Sequence, residues 1–327
     1  MKRIDYLDIA KGLGIILVVI GHLDSTCVHT IIYYFHMPLF FFISGIFYDP
    51  SHDFLLKKIK QAFIPIFVFS AISFPIKFIE RSFLQEHVYF NLSYLTFQFY
   101  NIPLWFLISL FTIAILFYFV DITCSKRIKI FVFCSICIIG LFIAEQKKFF
   151  PFYISQSLMS FVFFMLGSYL HKYHPKKKHQ KYIHTKKCML LSTCCIMYAM
   201  YRNAETDISG LILDKNPFLF VMPALSGIFV ILYISKLLSK SRNTNTLMRM
   251  ANTILKYLGR NSLFIFGLHW PFITVLQKIL SYFIANNTSA NIVIFLLIIT
   301  FSLNIGFILS KRYPSFFHYS TIRNCYQ

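Results

Sequence analysis

Along the chain, long apolar runs alternate with short clusters of charge, Pro and Asn. Apolar runs of about 17–25 residues cross a bilayer as helices, because a helix satisfies its own backbone inside lipid. Marking them predicts ten spans: 9–24, 31–48, 61–79, 103–121, 128–144, 154–171, 187–202, 217–237, 261–284 and 290–310. The stretch 83–101 holds acids, Asn91 and Asn101, and reads as a loop, with an interfacial helix as the alternative. The polar stretches 172–187 and 239–257 read as connectors. Neither a soluble domain nor an internal repeat interrupts the pattern. The expected fold is all-α and polytopic, with residues 1–327 forming a single membrane domain.

Charge tests the count. Cytoplasmic loops carry an excess of Lys and Arg. With the N-terminus inside, ten spans place 25 of the 32 Lys and Arg inside with 5 acids, leaving 7 basic and 7 acidic residues outside. The whole formal charge of +20 then lies on one face, and both termini are cytoplasmic. One span more or fewer scrambles this segregation. Basic charge therefore speaks for multi-pass insertion in the cytoplasmic, inner membrane and not for nucleic acid. The run KYHPKKKHQKYIHTKK (172–187) reads as a topology signal beside anionic lipid. Its sharper reading is an electrostatic funnel for an anionic cytosolic substrate.

Other features change the picture less. The eight Cys show no repeating spacing, and the Cys134–Cys137 pair lies on an apolar run, so they read as small buried hydrophobes. The first run resembles a signal peptide, but Asp5 and Asp8 interrupt its basic start and no small-residue cleavage site precedes His22. It is read as a retained span.

Ionisable groups are costly in lipid, so each one inside a span is a site candidate. They are His22 near the outer end of span 1, His36 in the outer part of span 2 and His269 near the middle of span 9. Asn304 and Gln156 are weaker candidates. In KGLGIILVVIGHL (11–23), Lys11 and His22 are eleven residues apart. That is about 20° past three turns and roughly 16 Å along a helix, so they share a face near opposite membrane surfaces. Asp8 stands one turn before Lys11 and can pair with it.

Plain structural roles compete for each residue. Lys11 alone is a snorkelling anchor, His22 an interfacial residue and His36 a packed ring satisfying a carbonyl. Ser44-Gly45 is a packing contact, and Trp105 belongs to an aromatic belt. Two histidines in the outer halves of consecutive spans are harder to explain this way, because a hairpin brings them together. Neutral histidine can serve as general base on an alcohol or carry an acyl group. The chain has no GxSxG, HExxH or P-loop sequence to suggest a serine hydrolase, a zincin or an ATPase.

LDIAKGLGIILVVIGH (7–22) resembles the first-helix signature of the acyltransferase 3 family of membrane O-acyltransferases: a basic residue, ten others, then histidine. FHMPLFFFISG (35–45) resembles the second-helix signature of its fucose 4-O-acetylase-like branch. PLWFL (103–107), FFMLGSYL (163–170) and LGRNSLFIFGLHWPF (258–272) are similar to later family segments in the expected order. Lys11 stands where many relatives carry arginine, which weakens bidentate phosphate binding.

The resemblance implies transfer of an acyl group, usually acetyl, from cytosolic acyl-CoA to a hydroxyl of a surface polysaccharide or other cell-envelope glycan, or of its lipid-linked saccharide precursor. It implies acetyl-CoA as co-substrate and no metal. On this reading His22 is general base or transient acyl carrier, and His36 orients it or the thioester. Lys11 and Ser44 serve the coenzyme, while Trp105 and His269 shape the pocket. Acceptor contacts are expected in the outer loops 77–101, 145–153 and 203–216, where Tyr89, Tyr94, Tyr100 and Tyr153 could stack on sugars. The alternatives are a transporter or flippase for a lipid-linked glycan and a non-catalytic scaffold. The first has no matched halves to support it. The second leaves the Lys11–His22 spacing unexplained.

Overall fold

The computed structural model describes residues 4–23, 27–83, 101–173, 186–214, 216–240, 246–284 and 287–314. Within them each predicted span is a helix. In chain order these are α1 (Asp5–Leu23), α2 (Cys27–Ile46), α3 (Phe54–Phe83), α4 (Trp105–Thr123), α5 (Lys126–Glu145) and α6 (Ile154–Tyr173). Then follow α7 (Lys186–Tyr201), α8 (Phe218–Lys240), α9 (Thr246–Arg260), α10 (Ser262–Ser281) and α11 (Asn287–Arg312). Among the described residues nine helices are long and apolar enough to cross a membrane, and α7 is a shorter apolar helix of 16 residues. The protein is an all-α, polytopic membrane protein. Most of 83–101 and 172–187 lies outside the described residues.

One element departs from the sequence expectation. The stretch 239–257 reads as a polar connector, yet residues 246–260 form α9, a helix packed along α1. Its polar residues kept it out of a hydropathy count. A Cβ on Gly12 would run into the Leu255 carbonyl, and one on Gly259 into the Asp8 carbonyl. Glycine at both points lets the two backbones touch.

α1 stands at the centre, packed on α2, α8, α9 and α10. α2 is the most buried span, held against α6 by a reciprocal contact in which Gly45 meets the Phe164 carbonyl and Gly167 the Phe42 carbonyl. α3, α5 and α11 expose most of their surface, as helices at a lipid boundary do. Cys134 and Cys194 are also exposed, which corrects the reading of the cysteines as buried hydrophobes. Residues 204–212 close on themselves through an antiparallel bridge between Asp207 and Ile212, and two side chains tie the loop to the bundle. Tyr34 Oη donates to the Ala204 carbonyl at 2.9 Å, and Gln156 Nε2 to the Ser209 carbonyl at 3.1 Å.

Candidate active site

The C-terminal end of α1 delivers His22 to an aromatic cluster built from three helices. Tyr33 Oη lies 3.2 Å from His22 Nδ1. The His22 ring is centred 5.1 Å from His269 and 5.1 Å from Trp270, both on α10. Tyr33 also stacks on His29 at 3.9 Å and lies 4.7 Å from His36. Three histidines named from the sequence thus join one cluster: His22 and His36 meet Tyr33, and His269 meets His22. The fold accounts for this: the short α1–α2 connection returns α2 beside α1, and the packing of α10 on α1 supplies the third wall.

Hydrogen bonds fix two of the ring orientations. His36 Nδ1 lies 2.9 Å from the Ile32 carbonyl, and His269 Nδ1 2.6 Å from the Phe266 carbonyl. A carbonyl oxygen only accepts, so each Nδ1 carries hydrogen and a neutral ring presents Nε2 as a base. His269 is fully buried, and its Nε2 has no hydrogen-bond partner among the described residues. Buried polar atoms are normally paired, so this nitrogen is suited to receive a hydroxyl from a bound molecule.

A proline explains how α10 is held. Pro271 has no N–H, so the Gly267 carbonyl four residues earlier loses its helical donor. Asn101, just before α4, fills the gap: its Nδ2 donates to the Gly267 carbonyl at 2.6 Å and to Ser73 Oγ at 3.0 Å. His269 and Trp270 lie between the two ends of this unpaired turn. Asn101 therefore ties α3, α4 and the histidine-bearing part of α10 together.

At the other end of α1, Lys11 Nζ is 2.8 Å from Asp8 Oδ1, and Arg260 Nε is 3.3 Å from Asp8 Oδ2. Lys256 pairs with Asp5. The Lys11 ammonium also lies 5.7 Å from the Phe47 ring centre. The acids of the first turn thus gather three cations, two of them from α9.

A stripe on α2 runs between the two ends. Tyr33, His36, Phe40, Ser44 and Phe47 recur at three- and four-residue spacing, which places them on one face. Tyr33 touches His22, the Phe40 ring tip lies 3.2 Å from where a Gly14 Cβ would stand, and Phe47 underlies Lys11. Ser44 is therefore on the α1-facing side, half-buried between Phe40 and Phe47.

Trp105 is buried against Phe41, Phe106 and Tyr153. A chain of rings leads from it to the histidines: Phe106 meets Phe266 at 5.3 Å, and Phe266 in turn meets His269 at 5.8 Å. Tyr153, offered as a sugar-stacking ring, packs on Trp105, while Tyr89, Tyr94 and Tyr100 lie outside the described residues. Gln156 holds the 204–212 loop, and Asn304 is exposed on α11.

Sequence reasoning missed Tyr33, Trp270, Arg260 and Asn101. Tyr33 stands three residues before His36, and Trp270 directly follows His269; neither carries a charge that marks it inside an apolar run. Arg260 was counted only as topology charge. The one available signal for Asn101 was Pro271, which announces a carbonyl in need of a donor.

With this geometry in view, comparison with known proteins gives one match: the acyltransferase 3 family model, described as an acyltransferase domain, matches residues 4–311. No curated protein and no solved structure matches the chain.

Proposed function

Since the chain belongs to the acyltransferase 3 family and is a membrane acyltransferase, we propose that it moves an acyl group, acetyl as the first choice, from cytosolic acyl-CoA to a hydroxyl. The proposed acceptor is a cell-surface glycan or its lipid-linked precursor. The observation that carries this reading is the arrangement along α1. A histidine cluster suited to proton transfer stands at one end, and Lys11 with Arg260 stands at the other. The two ends are roughly 16 Å apart on one helix face.

In this proposal Lys11 and Arg260 receive the coenzyme phosphates, displacing part of their pairing with Asp8. The pantetheine arm lies along the face of α1 opposite Phe40 and Ser44 and carries the thioester toward His22. His22 takes the proton of the acceptor hydroxyl as its oxygen attacks the thioester carbon. The C–O bond forms, the C–S bond breaks, and the leaving thiolate recovers that proton. In the stepwise variant His22 itself carries the acyl group. Tyr33 holds the His22 ring in either case. His36 orients the reacting groups through its Nε2, and His269 Nε2 accepts a hydrogen bond from the acceptor.

The test is NMR of the surface polysaccharide from cells with the gene, without it and with His22→Ala. The proposal expects an ester signal that disappears in both altered strains. An unchanged ester pattern in the deletion strain rules it out.

A further inference from the structure

A cavity of about 250 Å³ lies between α4, α5 and α6, on elements that contribute no histidine to the site. Its inner wall is apolar, formed by Phe117, Phe133, Met165 and Leu166. One end is polar: Lys129 Nζ is 2.5 Å from Asp121 Oδ1, Tyr48 Oη donates to Asp121 Oδ2 at 3.3 Å, and Lys126 stands at the rim. Tyr48 directly follows Phe47, the ring beneath Lys11, so this polar end belongs to the basic face of the molecule. Along its outer rim Ile130, Cys134 and Tyr169 are exposed. The cavity thus opens where the bundle meets lipid.

We infer that this cavity binds an acyl chain of an anionic phospholipid from the leaflet on the Lys11 side, with the headgroup at the start of α5. Shape and charge both point to this occupant. An apolar wall beside lipid loses dispersion contacts unless something fills it, and a narrow cavity open to the bilayer suits a single chain. Lys126, Arg127 and Lys129 crowd the first turn of α5, and Asp121 is the one acid among the described residues lining the cavity. The helix N-terminus adds partial positive charge at the same place. A phosphate there meets a net positive surface while its chain lies against the stacked rings of Phe117 and Phe133. The site is separate from the proposed coenzyme track, so it stands or falls independently of the acyl-transfer reading.

Native mass spectrometry of the full chain in detergent tests it, with phosphatidylglycerol or phosphatidylcholine added. Wild type is expected to retain one phosphatidylglycerol under conditions that strip phosphatidylcholine. Leu166→Trp, which fills the cavity, is expected to lose that retention. Leu296→Trp, at an exposed position on α11, is expected to keep it. Thermal unfolding identifies a misfolded variant. As a second probe that leaves the apolar wall intact, Lys126→Gln with Arg127→Gln is expected to weaken phosphatidylglycerol retention more than about tenfold, as two basic residues beside anionic lipid imply. Equal retention of both lipids, unchanged retention in Leu166→Trp, a preference for palmitoyl-CoA, or a second copy of the chain in place of the lipid overturns the inference.

Discussion

At the C-terminal end of α1, Tyr33 Oη lies 3.2 Å from His22 Nδ1, and in the proposed reaction that contact holds the His22 ring. Tyr33→Phe keeps the stack on His29 but removes the hydroxyl. The expected result is a kcat lowered about tenfold, the scale of one hydrogen bond to a reacting ring, with little change in KM for acyl-CoA. Steady-state kinetics in membranes reads this directly, and an unchanged kcat removes Tyr33 from the account. At the other end Lys11 predicts the opposite split. Lys11→Ala is expected to raise KM for acyl-CoA about tenfold or more through a lost charge-assisted contact, with kcat little altered. Lys11→Arg restores it. Asp8 lies between Lys11 and Arg260, whose side chains keep 23% and 25% of their surface exposed. Removing one partner of a fully buried pair costs about 3–5 kcal/mol. With this much exposure, Asp8→Ala is expected to cost less, on the order of 1–2 kcal/mol, visible as a lower unfolding temperature.

At the scale of elements, α10 depends on a donor supplied from elsewhere. Asn101→Leu leaves the Gly267 carbonyl buried without Asn101 Nδ2, and an orphaned buried acceptor costs about 1–3 kcal/mol. Pro271→Ala returns a backbone N–H to the same carbonyl. The two substitutions are therefore expected to be non-additive: Pro271→Ala partly restores the stability of Asn101→Leu. Transfer activity is expected to remain low in the double variant, because the turn carrying His269 and Trp270 has been rebuilt. Additive losses in unfolding temperature contradict this link. Contact between α1 and α9 is tested in the same way. A side chain at Gly259 meets the Asp8 backbone, so Gly259→Val forces the helices apart and draws Arg260 from Asp8. Overpacking of this kind costs about 1–3 kcal/mol, and KM for acyl-CoA is expected to rise alongside.

At the scale of the whole molecule, the membrane spans were legible because lipid imposes a length and a hydropathy on every helix that crosses it. Among the described residues nine helices reach spanning length, and the shorter α7 occupies the remaining predicted span. α9 was not legible, since its stability comes from packing on α1 and not from apolar length. The same distinction divides the site. Spacing along one helix put Lys11 and His22 on a common face, and it was readable before any fold was known. Which neighbours meet them was not. Asp8 was expected to pair with Lys11 but also takes Arg260, some 250 residues away, and His22 meets His269 through the packing of α10 on α1. Trp105 was named from a family-like segment, and the rings of Phe106 and Phe266 that join it to His269 come from packing that spacing does not show.

The central claim is that acyl transfer occurs at His22 while the donor is held at the Lys11 end of the same helix. Membrane vesicles with the Lys11 side accessible, supplied with radiolabelled acetyl-CoA, test it through the rate of label transfer into alkali-labile ester on glycan. Wild type is predicted to form labelled ester, and normally inserted His22→Ala to be slower by about 10²–10⁴-fold, the usual contribution of a general base. Full transfer by an inserted His22→Ala protein would contradict the account.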